Sequence, residues 1–132
     1  MRHFNFFFVL LLIFGCQKES TPEQLILSKV IIGKWQMIQI MGFPYSATEW
    51  ETLPYIGPIY EFADDGTYIE IVNSLDPQHG TYSVNDTTNT VKLLVKGLLE
   101  VESSVEITNS NEIIFGGSGF EGPVKYKYKR LE

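Results

Sequence analysis

Glu100-Val101-Glu102-Ser103-Ser104-Val105-Glu106-Ile107-Thr108 alternates polar and apolar residues with a period of two. Val101, Val105 and Ile107, with Ser103, fall on one side, and Glu100, Glu102, Ser104 and Glu106 fall on the other. Successive side chains of an extended chain point to opposite faces, so this run predicts a strand with one buried and one wet face. Such strands belong to antiparallel sheets, because parallel strands are covered on both faces and read as continuous apolar runs. The last run repeats the pattern, with Tyr126 and Tyr128 opposite Lys125, Lys127 and Lys129.

Working outward, the chain divides into eight β-rich runs separated by turn residues. They are Gly33 to Met41, Pro58 to Ala63, Thr67 to Asn73, His79 to Asn85, Thr90 to Lys96, Glu100 to Thr108, Glu112 to Phe115 and Val124 to Leu131. Asp64-Asp65-Gly66 predicts a hairpin turn, with glycine supplying a positive φ. Gly116-Gly117-Ser118-Gly119 reads as a loop, and a long loop from Gly42 to Ile56 follows the first run. Short connections between neighbours imply an up-and-down meander, and eight such strands can close on themselves and remove both edges. The expected fold is therefore all-β, an eight-stranded antiparallel up-and-down barrel with a short N-terminal helix. An open sandwich competes, and spacing alone does not exclude it. The helix is predicted to start at Thr21-Pro22-Glu23, with a cap, a proline of suitable φ and an acid at the positive end of the dipole. Leu25, Ile26, Val30 and Ile32 give it an incomplete apolar stripe that ends before Gly33.

Ahead of the helix, Met1-Arg2-His3-Phe4-Asn5 carries positive charge and Phe6 to Phe14 is an unbroken apolar run. At ~1.5 Å per residue this run falls short of the ~30 Å hydrocarbon core, so it reads as the apolar region of a secretory signal. Ile13-Phe14-Gly15-Cys16 resembles the lipobox of bacterial lipoproteins, and Cys16 is the only cysteine in the chain. The resemblance implies a signal peptide over residues 1–15, a diacylglyceryl group on Cys16, and acylation of the new N-terminus with chains such as palmitate. Residues 16–21 are then the lipidated cysteine and its tether, and residues 22–132 the domain. Several acyl chains give stable anchoring, so membrane attachment through Cys16 is expected. No aspartate follows the cysteine, since the next residues are Gln17-Lys18-Glu19-Ser20. That favours the outer membrane of the cell envelope, on its periplasmic or its surface face.

Removing residues 1–15 takes away one cation, Arg2, and leaves nine Lys+Arg against 16 Asp+Glu. The net charge becomes −7, which argues against nucleic acid and against electrostatic docking on anionic lipid. The seven tyrosines and two tryptophans all lie beyond the signal segment, the reverse of a disordered composition.

Three further stretches carry a family resemblance. Gly33-Lys34-Trp35 has the Gly-x-Trp form, Tyr60-Glu61-Phe62 leads to Asp65-Gly66-x-Tyr68, and Gly80-Thr81-Tyr82 follows. With the closing Tyr126-Lys127-Tyr128-Lys129-Arg130-Leu131, the set resembles bacterial lipocalin-like lipoprotein domains over about residues 30 to 131. The chain departs from secreted animal lipocalins in having no disulfide pair. In that family Trp35 plugs the closed end of the barrel behind Gly33, and a late arginine, here Arg130, packs over the indole. A solvated charge at the strand end is the other reading of Arg130.

The inward positions by parity are Met37, Tyr60, Phe62, Tyr68, Tyr82, Leu93, Val101, Ser103, Val105, Phe115, Tyr126 and Tyr128. An eight-stranded barrel is either filled by side chains or holds one small ligand. The resemblance implies a monomer that binds or carries a small hydrophobic molecule. A filled barrel serving as an interaction or structural module of an envelope complex is the alternative. The Gly42–Ile56 loop, with Tyr45, Trp50 and Tyr55, reads as a lid or as a partner surface.

The sequence offers little chemistry. His79 is the only histidine beyond the signal segment and has no cysteine beside it, so Cys–His catalysis and zinc sites with several His or Cys ligands are excluded. Asp76, His79 and a serine could assemble a triad on paper, yet no Gly-x-Ser-x-Gly elbow supports it. Asp64-Asp65-Gly66 lacks the alternating acids and distal Glu of a calcium loop, and no Lys-Ser/Thr pair follows Gly119 as a phosphate loop requires. No catalytic residue, metal or cofactor is expected.

Overall fold

The computed structural model describes residues 24–42, 48–73, 75–95, 100–119 and 122–131. The signal segment, Cys16, the Thr21-Pro22-Glu23 helix start and Tyr45 lie outside the described residues. One short helix, α1 (Leu27–Val30), precedes nine strands: β1 (Gly33–Met41), β2 (Glu51–Thr52), β3 (Ile59–Phe62), β4 (Thr67–Ile71), β5 (Gln78–Asn85), β6 (Thr90–Val95), β7 (Glu100–Asn109), β8 (Glu112–Gly119) and β9 (Gly122–Arg130). All pairings are antiparallel, from β1 to β3 and onward in chain order to β9.

Closure decides between barrel and sandwich. β9 returns to β1 over Lys125–Arg130, with Trp35 opposite Arg130, Met37 opposite Tyr128 and Ile40 opposite Tyr126. The sheet is therefore a closed eight-stranded barrel, with β2 as an added two-residue strand. β1 serves two partners on its other edge: Gly33–Gln36 face β3, and Gln39–Ile40 face β2. A register shift between Met37 and Gln39 resets the alternation, so Trp35, Met37 and Ile40 all face inward.

Three sequence expectations change. Gly116 to Gly119 form no loop; they continue β8, and Gly116–Gly119 pair with Lys125–Gly122. Glycine is a poor strand former alone, but β9 supplies ladder partners throughout, and β7 supplies one more at Gly116. The Gly42–Ile56 loop contains β2, which lies beside β1 rather than standing free. The helix begins only at Leu27, since Ile26 is extended at φ −101°, ψ 127°. Its buried residues are Leu27 and Val30, with Ile31 just beyond, whereas Leu25, Ile26 and Ile32 are exposed.

α1 carries no local side-chain cap. Asp86, in the β5–β6 turn, supplies one from a distance by accepting Ser28 N–H at 2.8 Å and Ser28 Oγ–H at 2.7 Å. A carboxylate there satisfies an orphan donor and suits the positive end of the helix. The hairpin at Asp64-Asp65-Gly66 forms as expected, with Gly66 at φ +82° and Asp65 Oδ1 accepting from Thr67 N–H at 2.9 Å and Oγ1–H at 2.6 Å. These donors hold the Asp65 carboxyl below its ordinary range. Among the described residues no cluster of three or more acids, histidines or cysteines is placed to hold a metal.

Candidate functional site: the barrel interior

One end of the barrel is sealed. Trp35 is fully buried and donates its indole N–H to Ile31 O at 2.7 Å. The Arg130 guanidinium lies over the ring, its carbon 4.3 Å from the centroid. The same group donates Nη2–H to Val30 O at 2.6 Å, Nη1–H to Ile32 O at 2.8 Å and Nε–H to Ser110 O at 3.0 Å. Three successive carbonyls at the C-terminal end of α1, those of Val30, Ile31 and Ile32, are thus satisfied by Trp35 and Arg130 together, where a cation also suits the negative end of the helix. Gly33 makes the approach possible: its φ is +124°, and a Cβ there would stand 2.5 Å from Arg130 Nη1. Gly33, Trp35 and Arg130 come together as one plug, and Arg130 is not a free solvated charge.

Above the plug the barrel is aromatic. Phe62, Tyr68, Phe115 and Tyr128 are buried, together with Leu93 and Val105. Phe62 meets Tyr82 edge-on at 4.9 Å between centroids, and Phe115 meets Tyr128 at 5.2 Å. Tyr60 touches Tyr128 at 5.7 Å and Tyr68 at 6.0 Å. Tyr68 owes its place to Gly80, directly opposite on β5, where a Cβ would stand 2.6 Å from the Tyr68 ring. Tyr82 donates its hydroxyl to Ala63 O at 2.6 Å, so it braces the β3–β4 turn.

The sequence-predicted inward residues all lie on the barrel's inner face, but at different depths. Phe62, Tyr68, Leu93, Val105, Phe115 and Tyr128 are core. Met37, Tyr60, Tyr82, Ser103 and Tyr126 are only partly covered. Val101, near the start of β7 and away from the plug, faces inward opposite Leu93 yet is 53% exposed to solvent.

Sequence reasoning missed Glu70. It stands directly opposite Tyr60 in the β3–β4 ladder and so shares the inner face. Its carboxylate accepts the Tyr60 hydroxyl at 3.1 Å. Burial foremost, then the Glu70 charge, pushes the Tyr60 phenol far above its ordinary value. Tyr128 is raised strongly by burial, then by Tyr60, Glu70 and Tyr126; Tyr68 is raised by burial and then Glu70. These phenols stay protonated at any physiological pH, and among the described residues the Tyr60 hydroxyl is the one that donates to the carboxylate. The signal was available, because Glu70 falls two residues after inward Tyr68.

The described part of the long loop follows the outer wall. Trp50 lies 4.5 Å from Lys127 Nζ, on the outward side of β9, while Tyr55 and Ile56 are exposed. An open groove of about 380 Å³ runs between Gln36–Ile38 and Thr52–Ile56. His79 is exposed on the outer face of β5, opposite Ile69.

No protein-family model matches the sequence, and no curated protein does. Solved structures do resemble it. A lipocalin-like protein from Bacteroides uniformis is 17% identical, with a TM-score of 0.57 over 77% of this chain and 99% of that one. An uncharacterized protein from Bacteroides eggerthii is 15% identical, with a TM-score of 0.54 over 76% of this chain and 98% of that one. At such identities the likeness is one of fold: the chain is a closed eight-stranded antiparallel barrel whose structural neighbours include a lipocalin-like protein.

Proposed function

We propose that the protein is a non-catalytic, lipocalin-like lipoprotein of the cell envelope, anchored through Cys16, whose barrel takes up a small apolar molecule. The observation that carries the reading is the asymmetry of the barrel. One end is plugged by Trp35 and Arg130, while at the other inward Val101 stands half exposed above an aromatic lining. A concave apolar space with a few placed polar groups is the usual make-up of a small-molecule site. Titrating the purified chain with N-phenyl-1-naphthylamine, a neutral apolar fluorophore, is expected to give saturable enhancement that unlabelled apolar compounds reverse. A linear, non-displaceable signal would remove the ligand-binding reading.

A second reading has its own support. The aromatic contacts of 4.9–6.5 Å among Tyr60, Phe62, Tyr68, Tyr82, Phe115 and Tyr128 fill much of the interior near the plug. A barrel filled throughout would act as an interaction module of an envelope complex, and the fluorophore experiment separates the two.

The anchor, an outer-membrane one in this reading, is tested independently. Cys16→Ser is expected to shift the protein from the membrane pellet to the soluble fraction, because in this reading the acyl chains on the thiol supply the stable attachment. Full retention in the pellet would contradict lipidation at Cys16.

A further inference from the structure

We propose that the barrel selects apolar molecules bearing a protonated amine, with Glu70 as the counter-charge and the tyrosines around it as the cage. The inference deepens the ligand-binding reading above and rests on it.

Glu70 sits where an apolar lining is expected. It shares the inner face with Tyr60 and with Gln78, which lie opposite it on β3 and β5. Its one hydrogen-bond donor among the described residues is the Tyr60 hydroxyl. No described cation pairs with it: the ion pairs join Lys34 to Glu61 and Lys92 to Glu100 and Glu102, all on the outer face. The register sends Lys125, Lys127 and Lys129 outward, and Arg130 is committed to Trp35 and the Val30 and Ile32 carbonyls at the end of α1. The charge placed toward the interior by these strands is therefore negative and unbalanced.

A carboxylate in a partly covered site is stabilised most by an ionised donor, and the phenol dipoles of Tyr60, Tyr68 and Tyr128 are too weakly charged to neutralise it. Aromatic faces meanwhile attract organic cations, and a carboxylate beside several rings is the arrangement that recognises ammonium groups. An incoming carboxylate or sulfate head would face Glu70 with like charge instead. The alkyl part of the ligand would lie toward Met37, Ile40 and Val101, nearer the open end.

Displacement of N-phenyl-1-naphthylamine by three twelve-carbon chains, used below micelle formation, isolates the head group. Dodecylamine is expected to displace the probe at about tenfold lower concentration than dodecanol, with dodecanoate weakest. Glu70→Gln keeps the acceptor for Tyr60 and removes only the charge. It is expected to bring dodecylamine level with dodecanol, read as the ratio of their two displacement concentrations, while an unchanged far-ultraviolet dichroism spectrum shows that the variant is folded. Equal displacement by all three heads, or a dodecylamine preference that survives Glu70→Gln, overturns the amine inference while the barrel remains a binding site. Failure of the probe and of every chain to bind overturns both readings.

Discussion

Trp35→Ala should cost about 3–5 kcal/mol of stability, the range for removing a large buried aromatic side chain. The indole is fully buried, satisfies Ile31 O, and forms the surface on which Arg130 lies. Truncation opens a cavity, leaves a carbonyl without its donor, and frees the guanidinium that holds the end of α1 against β9. Against a total of roughly 5–15 kcal/mol for a domain, that is a large share. Equilibrium urea unfolding measures it as a fall in midpoint at unchanged slope. Trp50→Ala is the internal comparison, because Trp50 rests on the outer wall over Lys127 and should change stability by no more than about 1 kcal/mol. A Trp35→Ala loss no larger than that of Trp50→Ala would mean that the plug does not hold the barrel shut.

Alkaline unfolding above pH 10 is the second large effect. Tyr60 and Tyr128 have folded-state values raised well above the ordinary 10.0, chiefly by burial, and Tyr68 and Tyr82 are raised for the same first reason. Below pH 10 both folded and unfolded chains hold these protons, so the contribution is intact. Above it the unfolded chain releases protons that the folded barrel retains, and stability falls by about 1.4 kcal/mol per pH unit for each shielded tyrosine. Tyr60 and Tyr128 alone give about 3 kcal/mol per unit. Tyrosinate absorbance and far-ultraviolet dichroism, followed together, should show the last tyrosines ionising only as the β signal is lost. Complete tyrosine ionisation by pH 11 with the β signal preserved would contradict the burial of these rings.

The strands were legible because their alternation is local chemistry. Gly33–Met41 was read to the residue, and most other ends agree within two, since turns such as Asp64-Asp65-Gly66 mark their own boundaries. β2 was not legible. Two residues carry no periodicity, and Glu51–Thr52 pair only because β1 has a vacant edge there. The glycines of β8 misled for a related reason, as their propensity is weak and their order comes from neighbouring strands. In the interior, parity assigned the correct face to each residue but no depth. That Phe62 is core while Val101 is half exposed depends on the stagger of the barrel and the position of its plug. Glu70 escapes a parity reading confined to apolar and hydroxyl residues. A charge at an inward position breaks the expected pattern, and such a break is itself the signal.

Gly33 and Arg130 bring the first and last strands to the same sealed base, and α1 sits there too. The eight residues from Cys16 up to Gln24 reach at most about 30 Å when fully extended. If Cys16 carries fatty chains as proposed, the barrel would be a cup fastened by its foot on a short leash. A ligand of the kind proposed would then be exchanged on the aqueous side, and one drawn from the bilayer would have to cross water before being taken up.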